Sequence, residues 1–221
     1  LSADSLIDIR RGYSAGFCVN YDSSHEPRTS AGAAGRAADP IAYDTYGIYG
    51  GFIREVGRTK AAASLSLDDY DYDDATLIGG GVADQDFRDR EELLAELRGD
   101  YAVSPATALF ARLRYIDQTY DIVSGGTIRD QSGYTFDVGT SFEVGNLVRG
   151  EVGVGYLTRD FEDPDFDSVD GVSVDANVEW FVSPLATVSF SADRSLKVAA
   201  VALSPAYIST GASARIDYEF R

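Results

Sequence analysis

Ionisable residues of both signs recur at even spacings in several segments of this sequence. They are Glu92, Glu96 and Arg98; Arg112 and Arg114; Asp137 and Glu143; Arg149 and Glu151; Asp175 and Glu179; and Arg215, Asp217 and Glu219. In an extended chain that spacing puts each group on one face. A face so charged and enclosed sets the field that a solute experiences. Fully paired with one another, the same residues form a salt-bridged plug, because eight strands leave room only for side chains and ten leave little more. The chemistry is that of a filter or a filling, not of bond-making.

Other residues invite sharper chemistry and sustain it less well. His25 follows Asp22, Ser23 and Ser24, and a histidine base can activate a serine or a water. All four fall in one expected loop, with no rigid scaffold to hold an orienting partner, so catalysis is not expected. Cys18 is the only thiol and His25 the only imidazole, which removes internal disulfides and Cys- or His-based zinc sites. Two acidic stretches, Asp68 to Asp74 and Asp160 to Asp170, alternate Asp with other residues and offer oxygen ligands to calcium. Asp69, Asp71 and Asp73 are the weak metal candidates among them. Neither stretch has the Gly and Glu spacing of an EF-hand, and solvated outer loops are the plainer reading; as cation sites they would bridge to lipopolysaccharide phosphates. Gly79-Gly80-Gly81 and the glycines of 150–155 open no helix, so they are not phosphate loops. No cofactor is expected.

Composition narrows the class. The 221 residues carry 36 acids against 19 bases, a net charge of -17, with 44% hydrophobic residues, 14 Tyr, 11 Phe and 22 Gly. That excludes a basic nucleic-acid binder and a disordered polymer. The chain opens at Leu1 and holds no Met, as expected of a processed or truncated chain. No apolar run approaches the ~20 residues of a membrane helix, but a membrane strand needs only ~9–11, half of them facing inward.

The elements that must position the charges are strands. Tyr134, Phe136, Val138, Thr140, Phe142 and Val144 alternate with Thr135, Asp137, Gly139, Ser141 and Glu143. The same period of two runs through 109–116, 148–157, 172–182 and 212–221, and more weakly through 5–22, 41–56, 60–72, 88–103 and 186–197. Arg90 to Leu97 has helix propensity, yet its neighbours favour a strand. The reading is about ten strands in a single domain over 1–221. Tight turns near 57–59, 104–106, 145–146 and 183–185 alternate with long polar connections near 23–40, 73–87, 121–132, 161–170 and 198–207. Short turns at one end and long loops at the other is the pattern of a membrane β-meander.

Orienting the hairpins sorts the aromatics. Tyr101, Phe142, Trp180, Tyr218 and Phe220 gather at the short-turn end; Tyr43, Tyr115, Tyr134 and Tyr156 gather at the long-loop end. Two outward aromatic levels flanking Val, Leu, Ala and Gly suit two water–lipid boundaries. Alternation alone fits a soluble β-protein equally. Two features favour the inverted arrangement: charges of opposite sign stand at matching heights, and the apolar faces are rich in Val and small residues. A charge on the lipid face costs ~2–4 kcal/mol at mid-membrane; the exceptions, Asp69 and Arg194, sit where a strand leaves the hydrocarbon.

Particular segments then resemble a known family. Gly155-Tyr156-Leu157-Thr158-Arg159-Asp160-Phe161-Glu162-Asp163-Pro164, Val169-Asp170-Gly171 and the run from Trp180 to Ser195 are similar to the outer-membrane β-barrel porins of Gram-negative bacteria that are often encoded with exopolysaccharide machinery. Ala206 to Thr210 and Tyr43 to Gly47 fit as well. The resemblance implies an all-β transmembrane antiparallel up-and-down barrel in the outer membrane, with long loops extracellular and short turns periplasmic. It implies passive passage of small hydrophilic solutes or saccharide, without catalysis. Expected partners are outer-membrane lipid, lipopolysaccharide, divalent cations at the acidic loops and other envelope proteins, with no nucleic acid. Family members have further strands on both sides, so the chain is either an internal piece of a larger barrel or a shortened relative closing at about ten strands, both termini then lying at the short-turn end. A second reading is a non-conducting surface barrel whose acidic loops meet lipopolysaccharide, cations or an extracellular partner.

Overall fold

A computed structural model describes residues 2–26, 37–123, 127–201 and 204–220. Period-two alternation becomes one antiparallel meander. The strands are β1 (Ser2–Arg10), β2 (Tyr13–His25), β3 (Ala42–Val56), β4 (Thr59–Tyr72), β7 (Arg90–Ser104), β8 (Thr107–Tyr120), β9 (Gln131–Val144), β10 (Val148–Phe161), β11 (Val169–Ser183), β12 (Ala186–Val201) and β13 (Ser204–Tyr218). They form an eleven-stranded sheet in chain order. A small hairpin, β5 (Ala75–Thr76) with β6 (Val82–Ala83), and a single 3-10 turn over Asp86–Arg88 sit in the connection between β4 and β7.

Three expectations change. The segment 5–22 is two strands, folded at Arg11-Gly12, where Gly12 takes φ 78°; a left-handed residue there makes a turn short enough to hide in the alternation. The connection expected near 198–207 is strand up to Val201 and again from Ser204, with 202–203 outside the described residues. The strand count is therefore odd, so β1 starts at the long-loop end while β13 finishes beside the tight turn at Leu185, whose carbonyl accepts the Glu219 amide. The sheet is not closed: among the described residues no ladder joins β1 to β13. Arg90 to Leu97 is strand, paired on both edges with β4 and β8.

Successive tight turns are staggered. Tyr13 pairs with Arg54, two residues short of the β3 end at Val56; Thr59 pairs with Tyr101, three short of Ser104. Thr107 pairs with Phe142, two short of Val144, and Val148 with Trp180, three short of Ser183. A stagger of one sign, two or three residues at each of these four turns, slants the strands relative to the line of turns, which is the geometry that lets a sheet curl into a wall.

Burial shows which face is which. Val138 is 46% exposed and Trp180 45%, while Asp137 between the valine and its neighbour Phe136 is 1% exposed. Among the described residues eight polar side chains are buried against five apolar ones, Ile41, Ala75, Phe110, Tyr120 and Leu157. A water-soluble β-sandwich of this size buries Val, Leu and Phe at about 1.5–3 kcal/mol each; here, Phe110 and Leu157 apart, most of those side chains stand outward. No helix among the described residues is long and apolar enough to cross a membrane.

Candidate functional site on the concave face

The register of the sheet puts Arg98, Arg112, Asp137, Gly155 and Ser173 on one rung across β7 to β11. On a flat sheet Arg98 and Glu151 would stand roughly 19 Å apart at Cα, three strands at ~4.8 Å and four residues at ~3.3 Å. Instead Arg98 donates to Glu151 through Nη1 at 2.9 Å and Nη2 at 2.6 Å. Likewise Arg112 Nη2 comes within 3.7 Å of Asp175 Oδ1, three strands away. The sheet is curled about these side chains, and they line its concave face.

Asp137 is the hub. Its Oδ2 accepts Arg114 Nη2 at 2.8 Å and Arg112 Nε at 3.3 Å, and its Oδ1 accepts Ser173 Oγ at 2.5 Å. A buried carboxylate is tolerable only when so satisfied. Arg98 also forks Asp100, with Nε and Nη2 at 3.0 and 2.8 Å from Oδ1. Beneath the arginines lies Phe110, its ring 4.4 Å from the Arg98 guanidinium carbon and 5.7 Å from that of Arg112. Gly139 makes room for that ring: a Cβ there would come within 2.5 Å of Phe110 Cζ. The outcome is a floor of one aromatic ring carrying alternating guanidinium and carboxylate groups, suited to orienting a polar solute and unsuited to making or breaking bonds.

All the charged positions singled out from the alternation lie on this same face by register, but the structure gathers only some. Arg98, Arg112, Arg114, Asp137, Glu151 and Asp175 form the central cluster. Glu96 sits opposite Arg114 in register, and Glu92 accepts from the amide of Gln118. Nearer the tight turns, Arg149 pairs separately with Glu179 at 2.6 Å, Glu143 lies beside Arg149, and Arg215 folds onto Asp217 at 2.6 Å. Glu219 follows the end of β13. Asp100, which stands with Glu96 and Arg98 at the height of Arg112 and Arg114, also belongs to the cluster, as do Phe110 and Ser173, which carry no charge and which charge spacing therefore passes over.

On the convex face Tyr101, Phe142, Trp180, Tyr218 and Phe220 stand toward the tight turns and Tyr115, Tyr134 and Tyr156 toward the long loops. Tyr43 does not join them. It turns inward and stacks on Tyr72 at 5.1 Å, because its register partner on β4 faces that way. The outward level is filled instead by Tyr21 and Tyr46, 5.0 Å apart, matching Tyr115 and Tyr134 at 4.8 Å. Tyr115 donates to Asp117 at 2.6 Å and Tyr21 to Asp44 at 3.0 Å; Tyr156 hydrogen-bonds Asp170. A ring that is apolar in the body and hydrogen-bonded at the tip suits a boundary between hydrocarbon and water.

Among the described residues the carboxylates that converge in the long-loop region are Asp74, Asp84 and Asp86, all exposed, rather than Asp69, Asp71 and Asp73. Asp84 raises the carboxyl of Asp86 above its ordinary range. His25 ends β2 opposite Ala42 rather than lying in a loop.

A family model described as Putative beta-barrel porin 2 matches residues 1–221. The chain belongs to that family. Among solved structures, the outer membrane channel DcaP of Acinetobacter baumannii superposes with a TM-score of 0.52 at 10% identity, over 99% of this chain and 62% of its own. OmpT, an outer membrane protein of Vibrio cholerae, superposes with a TM-score of 0.51 at 10% identity, over 97% of this chain and 85% of its own. This chain thus spans less than two thirds of the length of the first, and at that identity the likeness carries the fold alone. No curated protein matches the chain. The family is one of β-barrel porins, and the fold is that of outer-membrane barrels.

Proposed function

We propose that this porin passes small hydrophilic solutes, saccharides among them, along the charged concave face, by diffusion past a fixed field rather than by chemistry. The observation that supports the reading most is the curl of β7 to β11 about Arg98, Arg112, Asp137 and Glu151. Ionised groups of both signs, pinned on an aromatic floor beside a face of exposed Val and Leu, are what a water-filled passage through lipid requires. In this reading the long loops are extracellular, the tight turns periplasmic, and the residues from Glu92 to Glu219 named above line the lumen.

A second reading has a specific observation behind it. Arg98 and Arg112 reach across three strands to Glu151 and Asp175, and contacts of that reach also serve to fill a barrel. Such a barrel would be a non-conducting surface protein whose acidic loops meet lipopolysaccharide, cations or an envelope partner. Planar-bilayer recording of the full chain separates the two. Discrete openings whose ion selectivity moves toward cations in Arg112→Gln support passage; silence from a barrel shown to be folded by its heat-modifiable migration overturns it.

A further inference from the structure

Five of the seven buried side-chain polar atoms without a hydrogen-bond partner among the described residues lie nearer the long loops than Asp137, on the concave face. They are Arg90 Nε, Arg114 Nε, Arg159 Nη1 and both amide atoms of Gln131. Leaving one such atom unpaired costs ~1–3 kcal/mol, so a cluster of them marks a place where ordered water, an ion or a ligand is held.

The register brings them together. Gln131 pairs with Gln118, which pairs with Glu92. Arg90 is one same-face position above that rung on β7, and Arg159 one below it on β10, each about 7 Å along its strand. Arg159 leans across β9: a Cβ on Gly133 would sit 3.0 Å from Arg159 Cδ. The guanidinium carbon of Arg90 sits over the Tyr70 ring, 4.2 Å from its centre, and Nη1 donates to the Arg88 carbonyl at 3.4 Å. A guanidinium presents its N–H groups in the fork that matches a carboxylate or a phosphate.

Neither Arg90 nor Arg159 comes within 4.0 Å of a carboxylate among the described residues, whereas Arg88 is forked onto Glu26 at 2.8 and 2.9 Å. Of the nearby acids, Glu92 accepts from Gln118 and its charge is felt by both Arg90 and Arg159, one carboxylate against two guanidinium groups; Asp89 accepts from the Tyr72 amide at 2.7 Å and Asp130 from the Tyr120 amide at 2.8 Å. Four unmet donors and one unmet carbonyl describe a partner that is rich in acceptors and carries a hydroxyl.

We infer that this level of the concave face binds an acidic sugar, its carboxylate or phosphate held by Arg90 and Arg159 and a hydroxyl held by the Gln131 carboxamide. The inference rests on the reading of this face as a solute path and names the class of solute that pauses there. Calorimetric titration of the full chain folded in detergent, with glucuronate, glucose 6-phosphate and glucose as probes, tests it without a conductance measurement. Binding of either anion, with glucose at least about ten-fold weaker, is the expected result. The two anions separate a carboxylate from a phosphate ligand. Arg159→Gln should weaken binding about ten-fold or more, and Arg159→Lys, which keeps the charge without the fork, should recover only part. Equal affinity for glucose, no binding of either anion, or unchanged binding in a folded Arg159→Gln protein overturns the inference. Conductance with no anion binding would sink this site and leave the passage reading standing; binding to a silent barrel would do the reverse.

Discussion

Ser173 donates a 2.5 Å hydrogen bond to Asp137 although a whole strand, β10, runs between them. The residue of β10 on that rung is Gly155, and a Cβ there would come within 2.5 Å of Asp137 Oδ1 and 2.0 Å of the Phe136 carbonyl. The missing side chain is the gap through which the bond passes.

Gly155→Ala should therefore break that bond and destabilise the barrel by about 1–3 kcal/mol, the scale of an orphaned buried polar group. Urea unfolding from phospholipid vesicles measures it. A free energy within a few tenths of the wild type would show that the rung tolerates a methyl group and that the bond carries nothing.

Asp137→Asn keeps the shape of the hub and removes the charge that two arginines share. Breaking a buried pair on one side costs ~3–5 kcal/mol. Arg112 retains Glu151 at 3.8 Å and Asp175 at 3.7 Å, so the expected loss lies toward the lower figure. Reversal potentials across a salt gradient should move toward anion selectivity; a shift toward cations would contradict the assigned field.

Val154 is 52% exposed on the convex face. Val154→Arg is expected to cost ~2–4 kcal/mol at the bilayer midplane, read as loss of folded fraction in thin-chain vesicles. Indifference to an arginine there would mean the valine meets water rather than hydrocarbon.

Asp89 lies outside the strands, and burial, with Asp71, Asp86 and Asp121 nearby, pushes its carboxyl up to about 6. The folded chain thus holds a proton that the unfolded chain releases at lower pH. The stability this group contributes is complete below the ordinary carboxylate range and is lost as pH rises through about 6. Asp89→Asn keeps an acceptor for the Tyr72 amide and cannot ionise. Thermal melts should show the variant gaining on the wild type between about pH 4 and about pH 6; parallel curves would refute the shift.

Much of this was legible in the sequence, for a physical reason. A strand reports its two faces at every step, so the run from Tyr134 to Val144 assigns Asp137 inward and Val138 outward without any tertiary information. The hairpin at Arg11-Gly12 was not legible, because a two-residue turn in weakly alternating sequence leaves no mark longer than itself. Tyr43 was misplaced because its face is set by pairing with Tyr72, not by its own neighbours. The meeting of Arg98 with Glu151 depends on stagger and curl, which belong to the sheet as a whole. Arg90 and Arg159 have the right parity and were passed over, since what marks them, an unpaired buried atom in a curled sheet, is set by tertiary structure and not by spacing.

The stagger of the tight turns constrains how such a wall can change over time. Inserting one residue into any strand inverts every side chain beyond it, sending valines into the water path and arginines into lipid. Gaining or losing an entire hairpin widens or narrows the wall by two strands and leaves each remaining face as it was. Descent in this lineage is thus expected to proceed by whole hairpins, with single-residue gaps confined to the loops.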